Sequence, residues 1–175
     1  MKTVYLFRHG DTENAGSGQD YSRKLTEEGR QRTVEMTDHL KLSEIRTGLI
    51  ISSGALRAEA TAFIIAGRLG YPVSGIVTDD LLYHSKNAGD IMPLIQKSSE
   101  DISSIMIVGH VPLLNDFTSY ISITPVEISM GKSSSVRIDF DADGWSTISP
   151  HSGRIVFYKT FEKGAIVDAV TNVQK

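Results

Sequence analysis

The chain has no cysteine among its 175 residues. That excludes disulfides, thiolate metal sites and every mechanism that uses a cysteine nucleophile, and it fits an expected cytoplasmic location. Long apolar runs are lacking too. The first ten residues, MKTVYLFRHG, offer one lysine and a short apolar run before a charge, so neither a secretion signal nor a membrane span is expected there. An excess of positive charge is also missing: 18 Lys and Arg against 21 Asp and Glu leave a net charge of −3, which argues against a general nucleic-acid or polyanion binder. Any anion site must therefore be local, made by a few converging residues. Internal repeats and linkers are absent as well. The expectation is a single domain over residues 1–175, long enough to bury one continuous core.

What is present is a succession of short apolar runs with helical stretches between them. Thr3–Phe7 reads as a first buried strand and Leu25–Leu42 as a helix, with Thr26 as N-cap and Glu27 and Glu28 in its first turn. Leu49–Ile51 is a second strand, followed by a helix over Ala55–Leu69 that Gly70 and Pro72 end. Gly75–Thr78 is a third strand, Asp90–Lys97 a third helix, Ser104–Val108 a fourth strand and Pro112–Tyr120 the next helix. Alternation of this kind predicts βαβ units, a mostly parallel central sheet and helices on both faces, a three-layer α/β/α fold. Beyond residue 120 the period changes to two. Ser135–Phe140 and Arg154–Thr160 are expected as antiparallel strands on the same sheet, and the tail Phe161–Lys175 shows no clear pattern.

In open parallel sheets, ligands sit beyond the carboxyl ends of the strands. There the chain places Arg8, His9 and Gly10 after the first strand and Arg57 in the first turn of the helix after the second. Asp79 and Asp80 follow the third, Gly109 and His110 the fourth. Arginine forks bind phosphate oxygens bidentately. A histidine among arginines is disfavoured as a cation, so its neutral, nucleophilic form is available. A second histidine can hold the oxygens of a phosphoryl group in transfer, and a carboxylic acid can protonate a leaving group. The combination points to phosphoryl transfer by covalent catalysis on histidine, a chemistry that needs no metal and no cofactor.

Four segments carry a resemblance. Arg8-His9-Gly10, Leu25-Thr26-Glu27-Glu28-Gly29, Ser52-Ser53-Gly54-Ala55-Leu56-Arg57-Ala58 and Val108-Gly109-His110-Val111-Pro112 resemble, in order over residues 1–120, the motifs of the histidine phosphatase superfamily, the phosphoglycerate-mutase-like fold. The resemblance implies that His9 becomes phosphohistidine and that Arg8, Arg57 and His110 complete the phosphate pocket. Only 29 residues, 81–109, separate Asp80 from His110, which leaves no room for the lid of larger members. On that ground the chain is similar to the compact bacterial protein phosphohistidine phosphatases, and Asp80-Leu81-Leu82 resembles their acid-leucine step. The implied activity is hydrolysis of phosphohistidine on a signalling protein, such as a histidine-containing phosphotransfer protein. A small-molecule phosphomonoesterase and a catalytically weak phosphoprotein-binding module are the alternatives. The chain departs from the family in having Ser52-Ser53-Gly54 where Ser-Pro is usual.

Asp80 is the candidate general acid, with Asp79 beside it, although both residue types also suit a plain turn. His39 and His151 are expected on the surface, and His84 near the rim of the site. Gly131-Lys132-Ser133 ends like a Walker A loop, but Val126 stands where the first glycine belongs. Gly16-Ser17-Gly18 lacks the third glycine of a dinucleotide fingerprint and reads as loop.

Overall fold

The computed structural model describes residues 1–14, 19–124 and 126–170, so the Gly16-Ser17-Gly18 segment and the end of the tail lie outside the described residues. The chain folds around a seven-stranded sheet in the order β3-β2-β4-β1-β5-β6-β7. Its strands are β1 (Lys2–Arg8), β2 (Leu49–Ser52), β3 (Val77–Thr78), β4 (Ser104–Gly109), β5 (Ser135–Phe140), β6 (Arg154–Glu162) and β7 (Ala165–Asp168). The first four run parallel, while β5, β6 and β7 add as antiparallel neighbours beyond β1. The helices are α1 (Glu27–Leu42), α2 (Leu56–Leu69), α3 (Leu81–His84), α4 (Met92–Gln96) and α5 (Leu113–Ile121).

Period two along β1 divides its side chains between two cores. Val4 and Leu6 pack with Ile105, Ile107, Leu114, Phe117 and Trp145 on one face of the sheet. Tyr5 and Phe7 pack on the other with Met36 and Leu40 of α1 and Ala62 and Ile65 of α2. With β1 and β4 buried on both faces, each reads as a continuous apolar run. The three-layer α/β/α expectation holds, antiparallel C-terminal strands included. Among the described residues no helix is long and apolar enough to cross a membrane.

Local signals account for most boundaries. The Thr26 hydroxyl accepts the Gly29 N–H at 2.9 Å and caps α1, worth about 1 kcal/mol. Gly70 ends α2 at φ 70°. Three elements depart from expectation. The third strand shrinks to Val77–Thr78, because only two residue pairs join it to β2 at the sheet edge and Val73–Gly75 winds into a 3₁₀ turn. The expected helix Asp90–Lys97 begins as a 3₁₀ turn at Ala88–Ile91, and regular helix starts at Met92, where Pro93 needs no N–H partner. The tail forms β7, folded back on β6 through Lys163 and Gly164, both at positive φ.

Candidate active site

The site arises from strand register. Arg8 of β1 lies opposite Gly109 of β4, and Ser52 of β2 opposite Val108, so three parallel strands end level with one another. His9, Ser53 and His110, one residue past each end, therefore emerge side by side. Two backbone bonds extend the ladder into the site: His9 N–H to Gly109 O at 3.1 Å and Ser53 N–H to Val108 O at 3.0 Å.

His9 is buried, and its Nδ1 lies 2.7 Å from the Gly10 carbonyl oxygen. A carbonyl only accepts, so the proton sits on Nδ1 and Nε2 keeps its lone pair. Arg57 Nε donates toward that Nε2 at 3.4 Å. Burial, opposed by the Gly10 carbonyl and reinforced by the charges of His110, Arg57 and Arg8, lowers the His9 pKa to about 3. His110 stands with its ring centroid 5.0 Å from that of His9, and its Nε2 meets the Ser53 hydroxyl at 2.7 Å. Burial first, then the charge of Arg57, lowers its pKa to about 4. Both rings are thus neutral near pH 7. Arg8 donates through Nη1 to the Met130 carbonyl at 2.6 Å, while its buried Nε has no partner among the described residues. His110 Nδ1 is likewise buried and without a partner among them. Two unsatisfied donors or acceptors beside a neutral histidine are costly unless a ligand meets them.

The loop after β1 is fastened at its base. Thr12 bridges Leu25, Glu13 N–H reaches the Lys24 carbonyl at 3.0 Å, and Gly10 and Gly29 approach so closely that a methyl on Gly29 would collide with the Asp11 backbone. The loop then lays a 3₁₀ turn, Asp20–Ser22, over Arg57. Arg57 Nη1 donates to the Asp20 carbonyl at 2.6 Å and Nη2 to its carboxylate at 2.9 Å. Tyr83 OH donates to the same carboxylate oxygen at 3.0 Å. Partial burial raises the Asp20 pKa, but bonds from Arg23, Tyr83 and Arg57 outweigh that and bring it to about 2. A cleft of about 590 Å³ opens here, walled by Asp20, Arg57, Tyr83, His84, His110 and Pro112.

His9, Arg57 and His110 are thus brought together, with Arg8 close enough to depress both histidines. Asp80 is not among the residues that line that cleft. Its carboxylate accepts the Tyr21 hydroxyl at 2.7 Å over Gly54, where a methyl would displace both groups and break this bond. That contact gives a reason for glycine at 54, where the resemblance leads one to expect proline. Asp79 caps the turn that starts α3, accepting Leu81 N–H at 2.9 Å. His84 lies on the cleft wall. Lys132, in the rejected Walker-like segment, pairs with Asp11 at 3.1 Å. Asp20, Tyr21 and Tyr83 escaped the sequence reading, because nothing in a polar loop marks which acid will fold back onto an arginine. Among the described residues no group of His, Asp or Glu is arranged to hold a metal ion.

The sequence over residues 4–82 matches the family model described as histidine phosphatase superfamily (branch 1). That match spans 79 of the 175 residues and includes most of β1, the loop after it, α1, β2 and α2. The match and the shared fold together support a phosphatase hydrolase. No curated protein matches the chain by sequence. Solved structures share the superfamily fold. The protein histidine phosphatase SixA complexed with tungstate is 22% identical, with TM-score 0.77 over 89% of this chain and 95% of its own. A putative phosphohistidine phosphatase SixA from Agrobacterium tumefaciens is 23% identical, with TM-score 0.76 over 92% and 99%. A mycobacterial glucosyl-3-phosphoglycerate phosphatase is 17% identical, with TM-score 0.65 over 89% and 97%.

Proposed function

We propose that this histidine phosphatase hydrolyses phosphohistidine on a protein through a covalent phosphohistidine at His9. The observation that carries the reading is the His9 ring itself: Nδ1 is held by the Gly10 carbonyl, and Nε2 keeps an unprotonated lone pair that faces Arg57 Nε at 3.4 Å. Arg8, Arg57 and His110 bind the phosphoryl oxygens. The unpartnered Arg8 Nε and His110 Nδ1 are the groups such an anion would satisfy. Tungstate, a tetrahedral oxyanion, is present in the similar SixA structure.

In the first half-reaction the Nε2 lone pair attacks phosphorus as the bond to the leaving group breaks. In the second, water attacks the phosphoryl group, the P–N bond to His9 breaks, and its electron pair returns to Nε2. The Gly10 carbonyl holds the Nδ1 proton throughout and favours the cationic phosphohistidine ring. Positioning and electrostatics then supply the catalysis.

The protein substrate is supported by what borders the site. Between β3 and β4, residues 81–103 form only short helical turns, α3 and α4 with a 3₁₀ turn between them. We read the chain as one domain with no lid, its site open to a phosphorylated side chain presented by a partner such as a phosphotransfer protein. A panel comparing a phosphohistidine protein with small phosphate esters tests this. The expected result is preference for the phosphohistidine protein, together with acid-labile phosphate trapped on His9 after an alkaline quench. No turnover of phosphohistidine, or an undiminished rate in His9→Ala, would overturn it.

A further inference from the structure

The acid held against the phosphate pocket is unexpected. A carboxylate repels a phosphate dianion and competes with it for the same guanidinium. Yet Asp20 is gripped at both oxygens, Oδ2 by Arg57 and Tyr83 at 2.9 and 3.0 Å and Oδ1 by Arg23 at 3.1 Å. It forms part of the wall of the cleft that Arg57 and His110 also line. Its partners hold it ionised well below neutral pH.

Such a wall suits a substrate that brings positive charge next to its phosphoryl group. Phosphohistidine does: phosphorus is bonded to one ring nitrogen, the other carries a proton, and the protonated ring is a cation. The neighbouring aromatic groups suit a flat ring. Tyr83 stands edge-on to His110 at 5.6 Å and to Tyr21 at 4.8 Å between centroids, leaving aromatic surface beside Asp20.

We infer that Asp20 contacts the substrate and sets its specificity, accepting a hydrogen bond from the second ring nitrogen of phosphohistidine and thereby favouring phosphoramidates over phosphate esters. The inference rests on the phosphohistidine reading above. The chemistry balances without an added acid. His9 Nε2 forms its bond to phosphorus as the substrate P–N bond breaks, and that electron pair goes to the departing nitrogen. The substrate ring, cationic before cleavage, leaves as neutral imidazole, with its remaining proton facing Asp20. An ester lacks this ring, gains nothing from Asp20 and meets its charge.

The test compares Asp20→Asn, Asp20→Glu and the wild type on a phosphohistidine peptide and on p-nitrophenyl phosphate. In Asp20→Asn, kcat/KM on the peptide should fall roughly tenfold or more, the scale of a lost bond between charged groups. Its kcat/KM on the ester should rise, while Asp20→Glu, which keeps the charge, should retain the preference for the peptide. Taking the ratio of substrates on one preparation cancels any loss of folded enzyme. Wild type active on both substrates with the ratio unmoved in Asp20→Asn would overturn the role of Asp20 alone. Wild type active on the ester and inert on the peptide would overturn the phosphohistidine reading and this inference with it.

Discussion

Arg57 joins the two halves of the site: its Nε lies 3.4 Å from His9 Nε2, while its two terminal nitrogens hold Asp20. One guanidinium thus faces His9 Nε2, the proposed attacking atom, and orders the loop that holds Asp20. A planar fork can do both, and an ammonium cannot. Arg57→Lys should therefore lower kcat/KM by roughly 10²–10³, the scale of a lost charge-stabilising donor. Steady-state kinetics with a parallel thermal melt would check this. A twofold change in efficiency would remove Arg57 from the phosphate pocket.

The histidines make a pH prediction. An ordinary histidine titrates at 6.5, whereas His9 and His110 are held down to about 3 and about 4. Between those values the unfolded chain binds more protons than the folded one, so stability rises with pH across the window and is lost as pH falls from 6.5 toward 4. Urea midpoints at pH 7 and pH 5 should show a larger drop for wild type than for a His9→Gln, His110→Gln double variant. Equal drops would mean that neither ring is depressed.

Gly29 tests the packing of the first loop on α1. A methyl at this position meets the backbone of Asp11, which cannot rotate away as a side chain could. Gly29→Ala should destabilise the fold by about 1–3 kcal/mol, the usual cost of overpacking. Chemical denaturation would measure it, and an unchanged midpoint would contradict the close approach.

Asp80 is committed to Tyr21, and Asp79 to the turn that begins α3. Ester cleavage needs a proton for its alkoxide, whereas a protonated imidazole leaves unaided. Asp80→Asn should thus spare phosphohistidine turnover to within a few-fold, and any larger loss should fall on ester hydrolysis. The same pair of substrates on Asp79→Asn separates the two acids. A hundredfold loss on phosphohistidine in Asp80→Asn would make it the proton donor for that reaction.

Much of this was legible in the sequence for local reasons. The alternation of buried runs with capped helices specifies an α/β/α layering, because strand and helix periods are properties of neighbouring residues. The ends of β1, β2 and β4 point to Arg8, His9, Arg57 and His110 as candidates, because parallel strands deliver their carboxyl ends to one edge. The tertiary structure decided everything that depends on contact across the chain. Asp20 reaches Arg57 over 37 positions, and Tyr21 reaches Asp80 over 59. Nothing local to either acid distinguishes the one that folds into the cleft from the one drawn off by a tyrosine. Likewise β7 forms because β6 offers it a free edge, not because Ala165–Asp168 has a strong pattern of its own. Side-chain chemistry and periodicity are written residue by residue; which oxygen faces which nitrogen is settled only when the loops close.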